Sequence, residues 1–342
     1  MMFFRRLLWP FSLIYALIVS VRNFLYNKGF LVVFNIPGKS ICVGNLSTGG
    51  TGKTPHVAFL ADYLHRHYET TILSRGYGRK SKGFMVVSDS SISAEVGDEP
   101  LLFAQRYQEK VHVTVCEKRV TGIQKIQKLY PSNQLIILDD AFQHRPVKAG
   151  FSILLTQFNK PYFKDSILPA GNLRESIDGR KRADVIIVTK CPESISYEEK
   201  VNFKKQLKFP AESIFFSRIA YGNWIGFGKT LAFIKKVLLI TGIADPLPIQ
   251  HYLSKDYDVS LIKFQDHHDF TVQEIQEIHQ KFDTFASEQM VILTTEKDYM
   301  RLVSLKEKTE MENYPWYFVP ITVQLEDEKR FKKLVDSYVS TI

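Results

Sequence analysis

The chain has 342 residues, 45% hydrophobic and 24% charged, an ordinary globular composition with room for two compact domains. Its 45 Lys and Arg against 36 Asp and Glu leave a net charge of +9, which calls for an anionic partner; nucleic acid, anionic lipid and phosphorylated substrates all satisfy it. Three widely spaced cysteines, Cys42, Cys116 and Cys191, exclude a disulfide framework and a Cys-based metal site and suit a reducing compartment.

The first expected element is a helix. Residues 1–6 supply two arginines, and residues 7–21 then run without a charge until Arg22 and Lys28. A membrane span needs about twenty apolar residues, so the run is short for one. A secretory signal would fit the basic start, but no small-residue cleavage site follows, and Trp9, Pro10 and Tyr15 interrupt the pattern. An interfacial helix, with basic residues and Trp9 at headgroup level, is favoured over a buried core helix.

A buried strand at 40–43 then leads into Ser47-Thr48-Gly49-Gly50-Thr51-Gly52-Lys53-Thr54 and a helix beginning near Pro55. Glycines at these positions let backbone N–H groups converge on a polyphosphate. Lys53 adds a mobile positive charge, and the Thr54 hydroxyl can ligate Mg²⁺. Ser47 stands where the plain Walker pattern has glycine, so the template is the variant Gly-Gly-x-Gly-Lys-Thr. The chain is expected to bind a nucleoside triphosphate.

From Ser40 onward, short β-branched runs alternate with helical stretches, the pattern of an α/β fold in which helices wrap a P-loop NTPase-like parallel sheet. Strands are expected at 40–43, 71–74, 111–115, 135–138, 153–156 and 185–189. Aromatic and glycine-rich sequence at 215–232 breaks the pattern, which resumes with strands at 237–240, 260–264, 290–294 and 317–319. The division that follows is a membrane-associated helix at 1–30, a P-loop core at 31–215, a linker at 216–232 and a second, smaller α/β domain at 233–342. The last helix of that domain can pack back on the core.

Three polar clusters fall between these elements. The strand at 135–138 ends in Asp139-Asp140, where P-loop proteins place the acid that holds Mg²⁺ directly or through water, although Asp also caps helices. Asp98-Glu99 precede a helix; one could take a proton from an attacking hydroxyl while the other touches Mg²⁺, or both could simply cap it, and the residues alone leave this open. His267 and His268, flanked by Asp266 and Asp269, would point to opposite faces of a strand, which disfavours a metal pair. One of them could orient a catalytic carboxylate, or the segment could be a surface turn before the Thr271 helix.

In order, the chain contains Val43-Gly44-Asn45-Leu46 running into the glycine loop, Ser74-Arg75-Gly76-Tyr77-Gly78, Gly97-Asp98-Glu99-Pro100, Leu138-Asp139-Asp140-Ala141-Phe142-Gln143-His144, Leu173-Arg174-Glu175, Asp266-His267 and Thr295-Glu296-Lys297-Asp298. This set resembles the tetraacyldisaccharide 4'-kinase family, the lipid A kinases LpxK, over nearly the whole chain. The resemblance implies transfer of the ATP γ-phosphate to the 4'-hydroxyl of an acylated glucosamine disaccharide 1-phosphate, giving lipid IVA in lipid A biosynthesis. It further implies a peripheral or monotopic enzyme on the cytoplasmic face of the inner membrane, in contact with the lipid surface, without nucleic acid or an obligate protein partner.

Carried over residue by residue, Lys53 and Thr54 match the family's P-loop lysine and Mg²⁺-ligating threonine. Asp98 matches the catalytic acid, paired with the histidine that matches His267. Glu99, Asp139 and Asp140 match positions around Mg²⁺ and ATP, while Arg75, Arg119 and Arg174 match basic positions near the phosphates or the disaccharide. Asp245 stands where Asn is expected, and Pro146 follows Gln143-His144-Arg145 where a less rigid residue is usual. A MinD- or ParA-like switch ATPase would carry a lysine just before the double glycine, where this chain has Thr48. A nucleic-acid-dependent NTPase would need an aromatic RNA-binding motif or a basic helix, and neither is evident.

Overall fold

The computed structural model describes residues 7–285 and 289–340, so Arg5 and Arg6 lie outside the described residues. Beside a short pair, Phe34–Asn35 with Val147–Lys148, the first part of the chain supplies β1 (Lys39–Asn45), β2 (Thr70–Ser74), β3 (Met85–Val87), β4 (His112–Val115), β5 (Leu135–Asp139), β6 (Phe151–Gln157), β7 (Val185–Thr189) and β8 (Ile214–Tyr221). Then follow β9 (Lys236–Thr241), β10 (Asp258–Lys263), β11 (Met290–Thr295), β12 (Trp316–Val319) and β13 (Ile321–Leu325). The first sheet has nine strands in the order β13-β8-β7-β6-β1-β5-β2-β4-β3, and only its two edge strands run antiparallel to their neighbours. The second has β9 to β12 in the parallel order β12-β11-β9-β10, with Ile225–Gly226 added antiparallel at the β12 edge.

The central strands β5 and β7 are buried at every position, which is why they read as continuous apolar runs: helices cover both faces of the sheet. Ile41, Val43, Ile137 and Ile153 feed the core on one face, and Cys42, Leu138, Leu154 and Val188 the core on the other, so alternate residues of one strand serve different layers. After β12 the chain leaves the second sheet. β13 pairs with β8, and the helix Glu328–Val339 buries Phe331, Val335 and Val339 in the first core.

The ten expected strands are present within one or two residues. The stretch 216–232, expected as a linker, opens inside β8, which runs to Tyr221. Its buried half is Ile214 to Ser217, while Arg218 to Tyr221 emerge from the core, so neither a continuous apolar run nor clean alternation marks it. The edge strands β3 and β13 also escape the sequence reading, being short and only partly buried.

The N-terminal helix α1 (Trp9–Asn27) is no core helix: only Ser12 and Val19 are buried, while Phe11, Leu13, Ile14, Leu17 and Ile18 are each more than half exposed. Its protein-facing side is polar. Ser12 Oγ donates to Ile167 O at 3.1 Å, Tyr15 Oη to Arg174 O at 3.0 Å, and Asn23 Nδ2 to Glu175 Oε2 at 3.0 Å. No helix among the described residues is long and apolar enough to cross a membrane.

Candidate active site

The phosphate loop sits between β1 and the helix α2 (Lys53–Leu64), whose cap, Gly52, has φ 84°, a left-handed conformation natural to glycine. Neighbouring strands pin the loop. Asn45 Nδ2 donates to Thr51 Oγ1 at 2.9 Å, Thr189 Oγ1 to Thr51 O at 2.9 Å, and Gln157 Nε2 to Gly50 O at 3.2 Å. Behind it, Thr48 N donates to Asn172 O at 2.8 Å and Ser47 bridges to Leu173. The first-turn N–H groups of α2 lack intrahelical acceptors and carry the positive end of the helix dipole, an arrangement that holds anions.

His56, in the second turn of α2, fixes this geometry from inside. Its Nδ1 lies 2.6 Å from Gly52 O, which can only accept, so Nδ1 carries the proton and Nε2 accepts from Ser217 Oγ at 3.0 Å. Burial holds its pKa down to about 4. Two ammonium groups face the loop from the other side. Lys53 Nζ lies 3.7 Å from Asp140 Oδ2, and a Cβ on Gly50 would lie 4.0 Å from Lys190 Nζ at the end of β7.

Asp139 ends β5 and is 1% exposed; Oδ2 accepts from Ser74 Oγ at 2.9 Å, while Oδ1 is buried without a hydrogen-bond partner. Burial, and then the negative charges of Glu99 and Asp140, push its carboxyl up to about 7, with Lys53 opposing. An orphaned buried carboxylate oxygen amid like charges fits a divalent cation held by hard oxygen donors, and the Thr54 hydroxyl belongs to the same loop–helix junction. Among the described residues no three His, Cys, Asp or Glu side chains form a closed cage. Mg²⁺ needs no such cage, being bound through one or two carboxylates plus phosphates and water.

Asp98 opens the helix α3 (Asp98–Tyr107). Gly97 before it has φ 92°, and a Cβ there would lie 3.0 Å from Tyr77 O, so only glycine admits this entry. Across the cleft, His267 hangs from the end of the second sheet by its N–H to Gly242 O at 3.1 Å, and its Nδ1 lies 3.3 Å from Asp98 Oδ2. The expected pair is therefore in contact, 169 residues apart in sequence. Tyr77 sets its ring edge-on to the imidazole, centroids 5.7 Å apart.

A second group, invisible in the sequence reading, completes the contact. The helix α4 (Glu296–Leu302) carries Arg301, whose Nε donates to Asp98 Oδ2 at 2.9 Å and whose other terminal nitrogen donates to Asp298 Oδ1 at 3.2 Å. Asp298 is fully buried and anchored by Thr241 Oγ1 at 2.9 Å and Thr295 Oγ1 at 2.7 Å. Lys297 Nζ lies 3.2 Å from His267 Nε2 and 3.6 Å from Glu99 Oε1. Since an ammonium only donates, Nε2 accepts from Lys297, while Nδ1 faces both an acceptor, Asp98 Oδ2, and a donor, an Arg301 terminal nitrogen at 3.2 Å. Burial works against ionising Asp98, but hydrogen bonds from His267 and Arg301 and the charge of Lys297 hold its carboxyl below the usual range. Lys297 and Arg301 are four residues apart, the spacing that puts both cations on one helix face, and this was the available signal.

The remaining expected residues divide. Arg174 donates to Asp140 at 3.1 Å and to Gln143 Oε1 at 3.3 Å, beside Lys53. Arg75 is exposed at the end of β2. Arg119 is 2% exposed and donates to the carbonyls of Cys116 and Asp139, at 2.6 and 2.9 Å. It braces the strand end that carries Asp139 and presents no surface to a disaccharide in this conformation. His268 takes no part, its Nε2 lying 2.9 Å from Glu274 Oε1 at the cap of the following helix.

The family model for tetraacyldisaccharide-1-P 4'-kinase, LpxK, matches residues 4–340. A protein of Cytophaga hutchinsonii named tetraacyldisaccharide 4'-kinase is 38% identical over 346 residues, covering 99% of this chain and 97% of that one. One of Flavobacterium johnsoniae with the same name is 42% identical over 324 residues, covering 93% and 92%. The crystal structure of LpxK from Aquifex aeolicus in complex with ATP superposes with a TM-score of 0.76 at 32% identity, covering 98% of this chain and 99% of that one.

Proposed function

The chain belongs to the tetraacyldisaccharide-1-P 4'-kinase family and is an ATP-dependent kinase acting on an acylated disaccharide 1-phosphate in lipid A biosynthesis; we propose that Asp98, positioned by His267 and Arg301, accepts the proton of its 4'-hydroxyl. The contact of Asp98 with His267 carries this assignment, because it joins a carboxylate beside the phosphate loop to an imidazole that hangs from the second sheet.

In this account the backbone amides from Gly49 to Lys53 and the Lys53 ammonium hold the β- and γ-phosphates of ATP. Thr54, Asp139, Asp140 and Glu99 hold Mg²⁺, which when bound offsets charge on the transferring phosphoryl group. Arg174 keeps Asp140 turned toward Lys53. Arg75, exposed, contacts the phosphates or the disaccharide. His267, Lys297 and Arg301 already lie against Asp98 and Glu99, and on this reading that closed arrangement excludes water that would otherwise hydrolyse ATP.

The exposed apolar side of α1 rests, on this reading, on the cytoplasmic leaflet of the inner membrane, where an acylated acceptor resides. A cleft of about 630 Å³, lined by Trp9, Lys160, Lys164, Asp165 and Asn172 among others, opens beside the start of α1, and its Asn172 accepts from Thr48 N of the phosphate loop, so it offers the acceptor a way inward. Incubation of the purified protein with ATP labelled at the γ-phosphate and the disaccharide 1-phosphate tests the reaction. Label must appear on the lipid, and Asp98→Asn must remove it while ATP still binds; transfer that survives in the variant would refute the proton-acceptor role.

A further inference from the structure

Arg22, on the inner side of α1, has its Nε buried without a hydrogen-bond partner, and Arg145, on the loop after Asp140, has one terminal nitrogen in the same condition. The two meet around the C-terminal half of α1. Arg145 donates to Asn27 Oδ1 at 2.7 Å and lies over the Tyr26 ring at 5.5 Å, while Arg22 donates to Asn23 Oδ1 at 3.3 Å. Arg182 stands beside them. The carboxylate of the cluster, Glu175, is already spent: Arg182 grips both its oxygens, at 2.7 and 2.9 Å, and Asn23 and Gln143 donate to it as well. Buried guanidinium N–H groups without acceptors are costly, and three like charges against one occupied carboxylate leave a positive excess.

We propose that Arg22, Arg145 and Arg182 form a binding site for a lipid phosphate group at the foot of α1. A phosphate oxygen matches the fork of guanidinium donors. The site adjoins the exposed Phe24, Phe30 and Val32, so a ligand reaching it from the apolar side would be a headgroup at bilayer level. Mutual repulsion among the arginines supports the assignment, since burial and then Arg182 and Arg22 depress the basicity of Arg145. The inference rests on the reading that α1 lies on a membrane. Two sources share the chemistry: an anionic phospholipid, or the 1-phosphate of the acceptor, since Arg145 lies five positions after Asp140 and the chain between them spans at most about 18 Å.

The test compares wild type with the double variant Arg22→Gln/Arg145→Gln. Sedimentation with vesicles of phosphatidylcholine, and of equal parts phosphatidylcholine and phosphatidylglycerol, reads the first source; KM for the acceptor in neutral detergent micelles reads the second. A phospholipid site predicts that the variant loses a salt-sensitive preference for the mixed vesicles by roughly tenfold or more with KM unchanged. An acceptor site predicts a KM rise of roughly tenfold with vesicle preference retained. Wild-type preference together with wild-type KM in a variant of unchanged melting temperature and ATP affinity overturns the proposal. If the double variant does not fold, Arg22→Lys/Arg145→Lys is measured instead: charge without the fork should keep part of the preference or of the KM, and no change at all again overturns the site. Wild type that binds neither vesicle refutes the membrane reading of α1, while the micelle KM still decides the site.

Discussion

Arg301 on α4 and Asp98 on α3, 203 residues apart, meet on a single atom: the guanidinium donates to Asp98 Oδ2 through Nε at 2.9 Å and through a terminal nitrogen as well. His267 faces the same oxygen, whereas Oδ1 accepts no hydrogen bond among the described residues and is the atom available to an incoming hydroxyl. Arg301→Met should lower kcat by roughly 10–100-fold, because a carboxylate misplaced by even 1 Å loses about that much. ATP affinity should hold, and Arg301→Lys should recover part of the loss. Steady-state kinetics with an ATP-binding measurement checks this; a variant that weakens only ATP binding would contradict it.

Asp98→Asn keeps shape but cannot accept a proton, so kcat should fall by the ~10²–10⁴ typical of a lost general base. His267→Ala should resemble it. The double variant should lose little more than either single one, since residues acting as a unit are strongly non-additive. Losses that multiply would separate the two residues.

Asp139 is a site where function opposes stability. Its folded pKa of about 7 lies above the ordinary 3.8, so the folded state binds more protons than the unfolded one across that window, and stability falls as pH rises through it. Asp139→Asn should therefore unfold at higher urea concentration than wild type at pH 8, by roughly 1–4 kcal/mol, with the gap closing toward pH 4. The same variant should lose Mg²⁺-dependent activity. A less stable variant at pH 8 would show that the orphaned oxygen carries no penalty.

His56 acts with the opposite sign. Its folded pKa is depressed from 6.5 to about 4, so its stabilising contribution is whole above pH 6.5 and is lost as pH falls through the folded value, a cost of up to roughly 3 kcal/mol. His144 and His279, each held near 4 chiefly by burial, add to it. Chemical denaturation at pH 7.5 and pH 5 should show the drop, and His56→Gln should shrink it; a pH-independent difference between the two proteins would remove His56 as the cause.

Leu13 and Leu17 are 56% and 64% exposed on the outer side of α1. Leu13→Asp/Leu17→Asp should leave the melting temperature and ATP binding unchanged while abolishing sedimentation with vesicles. Unaltered sedimentation would move the membrane contact elsewhere.

Much of this site was legible because local chemistry dictates it. A glycine loop between a buried strand and a helix, and an acid at the end of a second strand, are stereochemical requirements that leave marks within a few residues. The partnership of Asp98 and His267 is not local, and the residues alone left each with a capping or turn alternative. Only the family resemblance joined them. Arg301 was missed because a helical arginine one turn from Lys297 looks like any solvated charge until its burial is seen: the side chain is 3% exposed. For Arg119, by contrast, the resemblance supplied a basic position near substrate, and burial places it behind Asp139. The strand β8 escaped because half of it serves the core and half emerges.

The pairing of β13 with β8 bears on how this protein is made. Ser217 to Tyr221 lie opposite Leu325 to Ile321, so the first sheet cannot acquire its last strand until the whole second sheet, which lies between them in sequence, has been made. Until then β8 is a bare sheet edge, with unpaired N–H and C=O groups open to another nascent chain. The nucleotide-binding half, although it comes first in the sequence, is completed last, and a chain cut short between β8 and β13 would yield a sticky fragment in place of a weaker enzyme.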